Sequence, residues 1–357
     1  MAKIFLHFFH STGASGYIGG DLLHLLAKVH PEYTVRALVR DAGKGEAISR
    51  AFRQVQIVKG GLEDAEIIAR EAKEADIVVH LAASGHLKSV QAIHHALSNK
   101  PKSQKSPYWI QISGGSALAA AELADPSRVC GAGSDIIWDD LDGIDAIRSL
   151  IKQHPKRAVD NYLLSVANNT PHVKTALVLP PIIYGQGRGP VNQRSIQIPE
   201  LAKLTLQRQR GVQVGPGQSR WGNVHILDLS QLFLRLVEKA VEGTEDPNIW
   251  GSNGLYLTGI GEISFGEISR RIAAAASELN VLQERSIDQL SGQEADDLLP
   301  HGSVLYGTNV RGQARRAKKW FGWAPTHEDL EHDIPRTVAR EARQLGLIQD
   351  ETPTARI

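Results

Sequence analysis

The sequence predicts an α/β fold: a doubly wound parallel sheet with a smaller C-terminal portion. Three observations predict it. Short apolar runs alternate with helical patterns through roughly the first 115 residues. A glycine-spaced segment follows the first apolar run and opens the first helical pattern. Turn residues gather only after position 180. Strands alternating with helices at this spacing build βαβ units and a parallel sheet.

The elements follow in order. Residues 4–9 form a short apolar run that carries His7 and leads into the glycine segment, so they read as a first strand and not as a signal peptide. Leucines at helical spacing mark residues 19–29. Residues 33–39 alternate and are rich in β-branched and aromatic side chains, which suits a strand. A short helix at 47–52 and a strand at 55–58 follow, then a helix at 65–74 and a buried strand at 77–80. Residues 89–97 are helical and 108–112 form a further apolar strand. Between these two, the cationic segment 99–107 is a solvated connection. Beyond Pro180-Pro181 the glycines of 185–190 and 211–222 loosen the pattern. Helices return at 230–241, at 265–279 and from near Asn309, and no internal repeat is visible.

Composition narrows the function classes. The chain has 357 residues, 42% hydrophobic and 22% charged, so it is an ordinary globular protein. Forty Lys+Arg against 39 Asp+Glu give a net charge of +1, which offers no bulk attraction to nucleic acid. The basic cluster Arg311, Arg315, Arg316, Lys318 and Lys319 reads as one solvated helix face. Cys130 is the one cysteine, so no disulfide forms within the chain and a reducing, cytoplasmic setting is expected. No apolar run reaches the roughly 18 residues of a membrane span. The C-terminal Thr354-Ala355-Arg356-Ile357 only faintly resembles a peroxisomal tripeptide. The histidines lack a ligand-set pattern, and no metal is expected. No GxSxG elbow points to a serine hydrolase.

The strongest motif is Thr12-Gly13-Ala14-Ser15-Gly16-Tyr17-Ile18-Gly19. Between a strand and a helix, Gly13 frees the turn, Gly16 admits a pyrophosphate to the backbone, and Gly19 allows close helix–strand packing. Ser15, Tyr17 and Ile18 complete the loop, and the helix start offers its N–H groups to phosphate. Arg40 ends the second strand, 21 residues after Gly19, where a cation suits a ribose 2′-phosphate; Lys44 adds a second, while Asp41 keeps NAD open. The expected cofactor is therefore NADP(H), in a Rossmann-type core over residues 1–180. Residues 181–357 form a mixed substrate-binding portion, from which 220–250 return to the core.

The glycine loop, spaced GxxGxxG, resembles that of the extended and atypical short-chain dehydrogenase/reductase superfamily, and other segments agree. Val78-Val79-His80-Leu81-Ala82-Ala83 resembles the family's fourth-strand motif, which implies that Leu81, Ala82 and Ala83 line the cofactor. Gly60-Gly61-Leu62-Glu63-Asp64 resembles its adenine-side segment, with Gly61 in place of the acid and Leu62 beside it. Pro180-Pro181-Ile182-Ile183-Tyr184-Gly185 resembles the stretch beside the nicotinamide, which implicates Pro180 and Ile183. Residues 221–229 resemble the V-H-x-x-D-L motif, and Phe321-Gly322-Trp323-Ala324-Pro325 matches the usual LGWxP. The chain is most similar to the fungal epimerase/dehydratase-like branch and more distantly to NmrA-like proteins.

The sequence departs from the family at two places. His7-Phe8-Phe9-His10-Ser11 is an extra segment before the glycine loop. The family's Tyr-x-x-x-Lys pair, followed by an acid, aligns with Lys152, Lys156 and Asp160, so the tyrosine is missing. Pro155 favours a helix that starts there and leaves Lys152 on the loop before it. Tyr162, Tyr184 and His154 are nearby but read as structural. The family's serine or threonine aligns with Gly115, next to Ser116 and after Ser113. The resemblance implies an NADP(H)-dependent oxidoreductase for a small organic carbonyl or alcohol, with Lys156 holding the ribose and Ser116 binding a substrate oxygen. Lys152, a water or the substrate supplies the proton. The alternatives are an NADP(H)-binding redox sensor and a non-redox, epimerase-like enzyme. The loop within 186–204, with Arg188, Asn192, Gln193 and Arg194, is expected to cover the substrate. The expected partners are this small molecule and, as an open alternative, a second copy of the chain in a homodimer.

Overall fold

The computed structural model describes residues 3–7, 13–101 and 105–349. Positions 8–12, which hold most of the extra segment and Thr12 of the glycine motif, lie outside the described residues, as does the C-terminal 354–357.

The first half alternates strictly: β1 (Lys3–His7), α1 (Tyr17–Val29), β2 (Thr34–Val39), α2 (Ala42–Ala51), β3 (Val55–Lys59), α3 (Ala65–Glu74), β4 (Ile77–His80), α4 (Leu87–Ser98) and β5 (Tyr108–Ile112). A 3₁₀ turn (Gly115–Ala119), α5 (Ala120–Ala124), β6 (Trp138–Asp139), α6 (Ile144–Gln153), α7 (Ala158–Asn169), β7 (Lys174–Leu179) and β8 (Ile182–Tyr184) continue the chain. The C-terminal portion comprises α8 (Gln197–Arg208), β9 (Gly211–Val214), β10 (Arg220–His225), α9 (Ile226–Val241), β11 (Leu255–Leu257), β12 (Gly261–Ser264), α10 (Phe265–Glu278) and β13 (Ile287–Leu290). It closes with α11 (Gly292–Leu298), α12 (Gly302–Leu305), β14 (Gly312–Gln313), α13 (Arg316–Phe321) and α14 (Leu330–Gln344).

Seven strands form one sheet in the order β11-β7-β5-β4-β1-β2-β3, with all neighbouring pairs parallel. Strand order reverses between β1 and β4, and ligands of such sheets sit beyond the strand ends at that crevice. Alternate residues of β4 and β5 face opposite layers. Ile77, Val79, Tyr108 and Ile110 join the core of α1 and α9, whereas Val78 and Trp109 join that of α3, α4 and α7. The return to the core runs beyond 250, because β11 is an edge strand of this sheet.

Several expected elements shift. The helix at 47–52 begins earlier, at Ala42, because Asp41 caps it by accepting from the Lys44 N–H at 2.8 Å. No helix begins at Asn309: β14 pairs with β6, Val310 bridges to Trp221, and α13 starts only at Arg316. The basic cluster is accordingly not one solvated face. Arg311 pairs with Glu262, Arg315 with Asp139 and Asp142, and Arg316 is buried against Tyr256. Nor does a helix begin at Pro155. Lys152 is in the last turn of α6, and residues 155 and 156 are a turn ahead of α7. Among the described residues, no helix is long and apolar enough to cross a membrane.

Candidate functional site

The glycine segment turns tightly, with the Gly16 N–H donating to Gly13 O at 2.6 Å. It leads into α1 with no side-chain cap and no acid in the first turn, so the helix start presents its N–H groups and partial positive charge to an anion. Gly13, Gly16, Tyr17, Ile18 and Gly19 are buried and Ser15 is half-buried. Arg40 and Lys44 are exposed just beyond β2. Asp41 is turned toward the α2 backbone by its cap, so the residues presented there are cationic. Leu62, Leu81 and Ala82 are buried beyond β3 and β4, with Ala83 exposed after them. The Gly61 N–H donates to Asp64 at 2.5 Å, which closes that segment on itself. All these groups lie along one edge of the sheet, at the strand ends predicted for a ligand.

The neighbouring strand ends carry a polar cluster. Ser113 Oγ donates to Asp160 Oδ1 at 2.6 Å and accepts from Arg157 Nη2 at 2.9 Å. Arg157 Nε donates to Asp160 Oδ2 at 2.6 Å, and its Nη1 reaches Ser116 Oγ at 3.3 Å. Asp160 is 1% exposed, and burial pushes its carboxyl up against the opposing pull of Arg157 and Ser113. The Ser113 hydroxyl has both donor and acceptor engaged. Ser116 is half-buried, and its hydroxyl proton remains available to an incoming oxygen.

The structure brings Ser116 into this cluster but not the two predicted lysines. Lys152 and Lys156 are exposed, and no hydrogen bond ties either to Ser113, Ser116 or Asp160 among the described residues. Arg157, one position on, is the cation that turns inward. The signal for it was the Arg157-x-x-Asp160 spacing at a helix start, where i and i+3 share a face. Gly115 lacks a side chain for a packing reason: an added Cβ would lie 2.9 Å from Val310 Cγ1 and 3.0 Å from Pro181 Cα. Tyr162 bonds His94, Tyr184 donates to Glu328 O, and His154 bonds Leu150 O.

A cleft of about 270 Å³ opens beside the glycine helix, lined by Tyr17, Ile18, Pro181 and Ile183 and by residues 192, 194–197 of the loop before α8. That loop is fastened to α1. Tyr17 Oη donates to Gly185 O at 2.7 Å, and burial raises its phenol well above the ordinary value. Arg188 donates to Asp21 from Nε (2.9 Å), Nη2 (2.8 Å) and its backbone N–H (2.9 Å). Gly20 and Gly189 are in backbone contact, since a Cβ on Gly189 would meet Gly20 Cα at 2.7 Å. Arg194 binds Glu341 and Glu200.

His225, Asp228 and His327 converge within 4.8 Å of one another. Asp228 accepts from the N–H groups of Thr326 and His327 and bonds His327 Nδ1 at 2.7 Å, and Trp323 Nε1 donates to its carbonyl. His225 Nδ1 accepts from Leu227 N–H, and its ring stacks on His327 at 4.9 Å. The group clamps the segment around Trp323-Ala324-Pro325 onto α9. Burial, aided by His327, lowers the pKa of His225.

The NmrA-like family profile matches residues 11–98. An oxidase from an Acremonium species, ucsJ, is 33% identical over 94% of this chain and 98% of its own length. The uncharacterised yeast protein YLL056C is 24% identical over 90% and 96%. Among solved structures, UDP-glucuronic acid 4-epimerase from Bacillus cereus, in complex with NAD, superposes with a TM-score of 0.64 at 15% identity, covering 96% of this chain and 99% of the other. The dTDP-glucose 4,6-dehydratase DesIV from Streptomyces venezuelae, also solved with NAD, gives 0.65 at 16%, covering 96% and 97%. With 33% identity over nearly its full length, the chain belongs to the same family as the Acremonium oxidase, and it shares the fold of the NAD-bound epimerase and dehydratase.

Proposed function

We propose that this protein is an oxidoreductase that uses a nicotinamide dinucleotide, with NADP(H) favoured over NAD(H), to interconvert a small organic carbonyl and its alcohol. The observation that carries the reading is the uncapped start of α1 beside a cleft whose other wall includes Pro181, which packs on Gly115, the neighbour of Ser116 in the Ser116–Arg157–Asp160 cluster. The residues fit such a cofactor. An uncapped helix N-terminus behind glycines suits a pyrophosphate, and exposed Arg40 and Lys44 suit a 2′-phosphate. The solved neighbours named above hold NAD, and these two cations support the phosphorylated form for this chain.

When bound, the nicotinamide supplies or accepts hydride. The chain's own residues then handle the oxygen. Ser116 donates a hydrogen bond from its hydroxyl to the reacting oxygen, a water supplies the proton that completes the alcohol, and Arg157 orients Ser116 and stabilises negative charge that develops there. Asp160 fixes the guanidinium plane through Nε, so Arg157 is held before substrate arrives.

Nicotinamide fluorescence titration with NADPH and NADH tests the first half of the reading. A preference for NADPH of about tenfold, or ~1.4 kcal/mol, is expected, and Arg40→Ser should erase most of it. No binding of either nucleotide would refute the proposal. Binding without consumption of NADPH across a carbonyl panel would favour the redox-sensor alternative.

A further inference from the structure

We infer that the end of this cleft formed by residues 192 and 194–197, beyond the cofactor's place against α1, takes an uncharged, largely apolar substrate and turns away phosphorylated or carboxylated ones, a deepening that rests on the oxidoreductase reading above. The argument is one of charge. Arg194 is the charged side chain among the described residues that line the cleft. Three of its five N–H donors go to carboxylates: Nε and Nη2 to Glu341 at 2.8 and 3.0 Å, and Nη1 to Glu200 at 2.6 Å. One cation between two carboxylates leaves that end of the cleft with a local charge of −1. Glu341 is 3% exposed, so solvent screens it little.

The other arginines around the site are neutralised in the same way. Arg188 is held by Asp21, which is 0% exposed, and Arg157 by Asp160. A diphosphate carries two or more negative charges and loses its water on entering. It would need cations that carboxylates do not already oppose, and here the guanidinium at the cleft faces two. The walls offer Tyr17, Ile18, Pro181, Ile183 and Ile196, which suit hydrocarbon. The nucleotide sugars that appear with the solved neighbours fall outside this class.

The test uses the full chain without cofactor and ligand-detected NMR. The probes are 1-tetralone, a size-matched tetralone carboxylate and UDP-glucose. Expected is binding of 1-tetralone at least tenfold tighter than of the carboxylate, with its Kd changing less than twofold between 50 and 500 mM NaCl, and no UDP-glucose binding at 1 mM. In Glu200→Gln/Glu341→Gln, which leaves Arg194 unopposed, the preference should move at least tenfold toward the carboxylate. Tighter binding of the carboxylate or of UDP-glucose to the unaltered protein overturns the inference, and so does failure of all three probes to bind. If the double variant does not fold, the comparison on the unaltered chain still decides. Failure of NADPH to bind, read separately by fluorescence, would sink the oxidoreductase reading while leaving this comparison of probes intact.

Discussion

Removing one member of the Asp21–Arg188 pair should cost far more on one side than on the other. Asp21 is 0% exposed, and Arg188 reaches it with a bidentate fork and a backbone N–H, whereas the Arg188 side chain is 29% exposed. In Arg188→Met the carboxylate stays buried with the backbone N–H as its remaining partner among these three. Breaking a buried pair in this way costs about 3–5 kcal/mol, and the surviving hydrogen bond places the expected loss near ~3 kcal/mol. In Asp21→Asn the charge is gone from the buried position, the guanidinium can turn to water, and the loss should be about 1–2 kcal/mol. The double variant should resemble Asp21→Asn, so the cycle gives a coupling of about 3 kcal/mol, the size of the Arg188→Met loss. Equilibrium urea unfolding, followed by far-ultraviolet circular dichroism and tryptophan fluorescence, measures all four proteins. Equal losses in the two single variants, or a coupling below about 0.5 kcal/mol, would refute the claim that this pair fastens the loop to the glycine helix.

Three further outcomes are expected. His80 is fully buried and its pKa is pushed down to about 3, mainly by desolvation with a smaller push from His86. The unfolded chain therefore takes up a proton near pH 6.5 while the folded chain stays neutral until about 3, and stability falls as pH drops through that window. Between pH 7 and 5 the loss is about 2 kcal/mol, and a His80→Gln variant with an unchanged pH slope would remove His80 as its source. Gly115→Ser should not restore the family's hydroxyl but destabilise by about 1–3 kcal/mol, because the Cβ meets Val310 and the Pro180-Pro181 backbone; a neutral effect in thermal melts would show that this contact yields. In steady-state assays Arg157→Lys should lower kcat at least tenfold, since a point charge cannot replace a fork held by Asp160, whereas Lys156→Ala should leave kcat within twofold. The reverse order would return the role to Lys156.

The first half of this fold is legible in the chain because its determinants are local. Apolar periodicity places β4 at Ile77–His80 and β5 at Tyr108–Ile112, and the glycine spacing marks the turn into α1. Residue types alone identify the phosphate-facing loop, since a helix start and small residues suffice to make it. The catalytic end is different. Whether Lys156 or Arg157 faces Ser113 depends on where α7 begins, and a shift of one residue rotates a helical position by about 100°. The charge of the cleft is a tertiary property too: Asp21 and Arg188 lie 167 residues apart, and Arg194 and Glu341 lie 147 apart. Read along the sequence, Arg188 and Arg194 are only polar members of a loop expected to cover the substrate. Only the folded chain shows that each is already matched by a buried carboxylate, because charge neutralisation depends on distance in space and not on order along the chain.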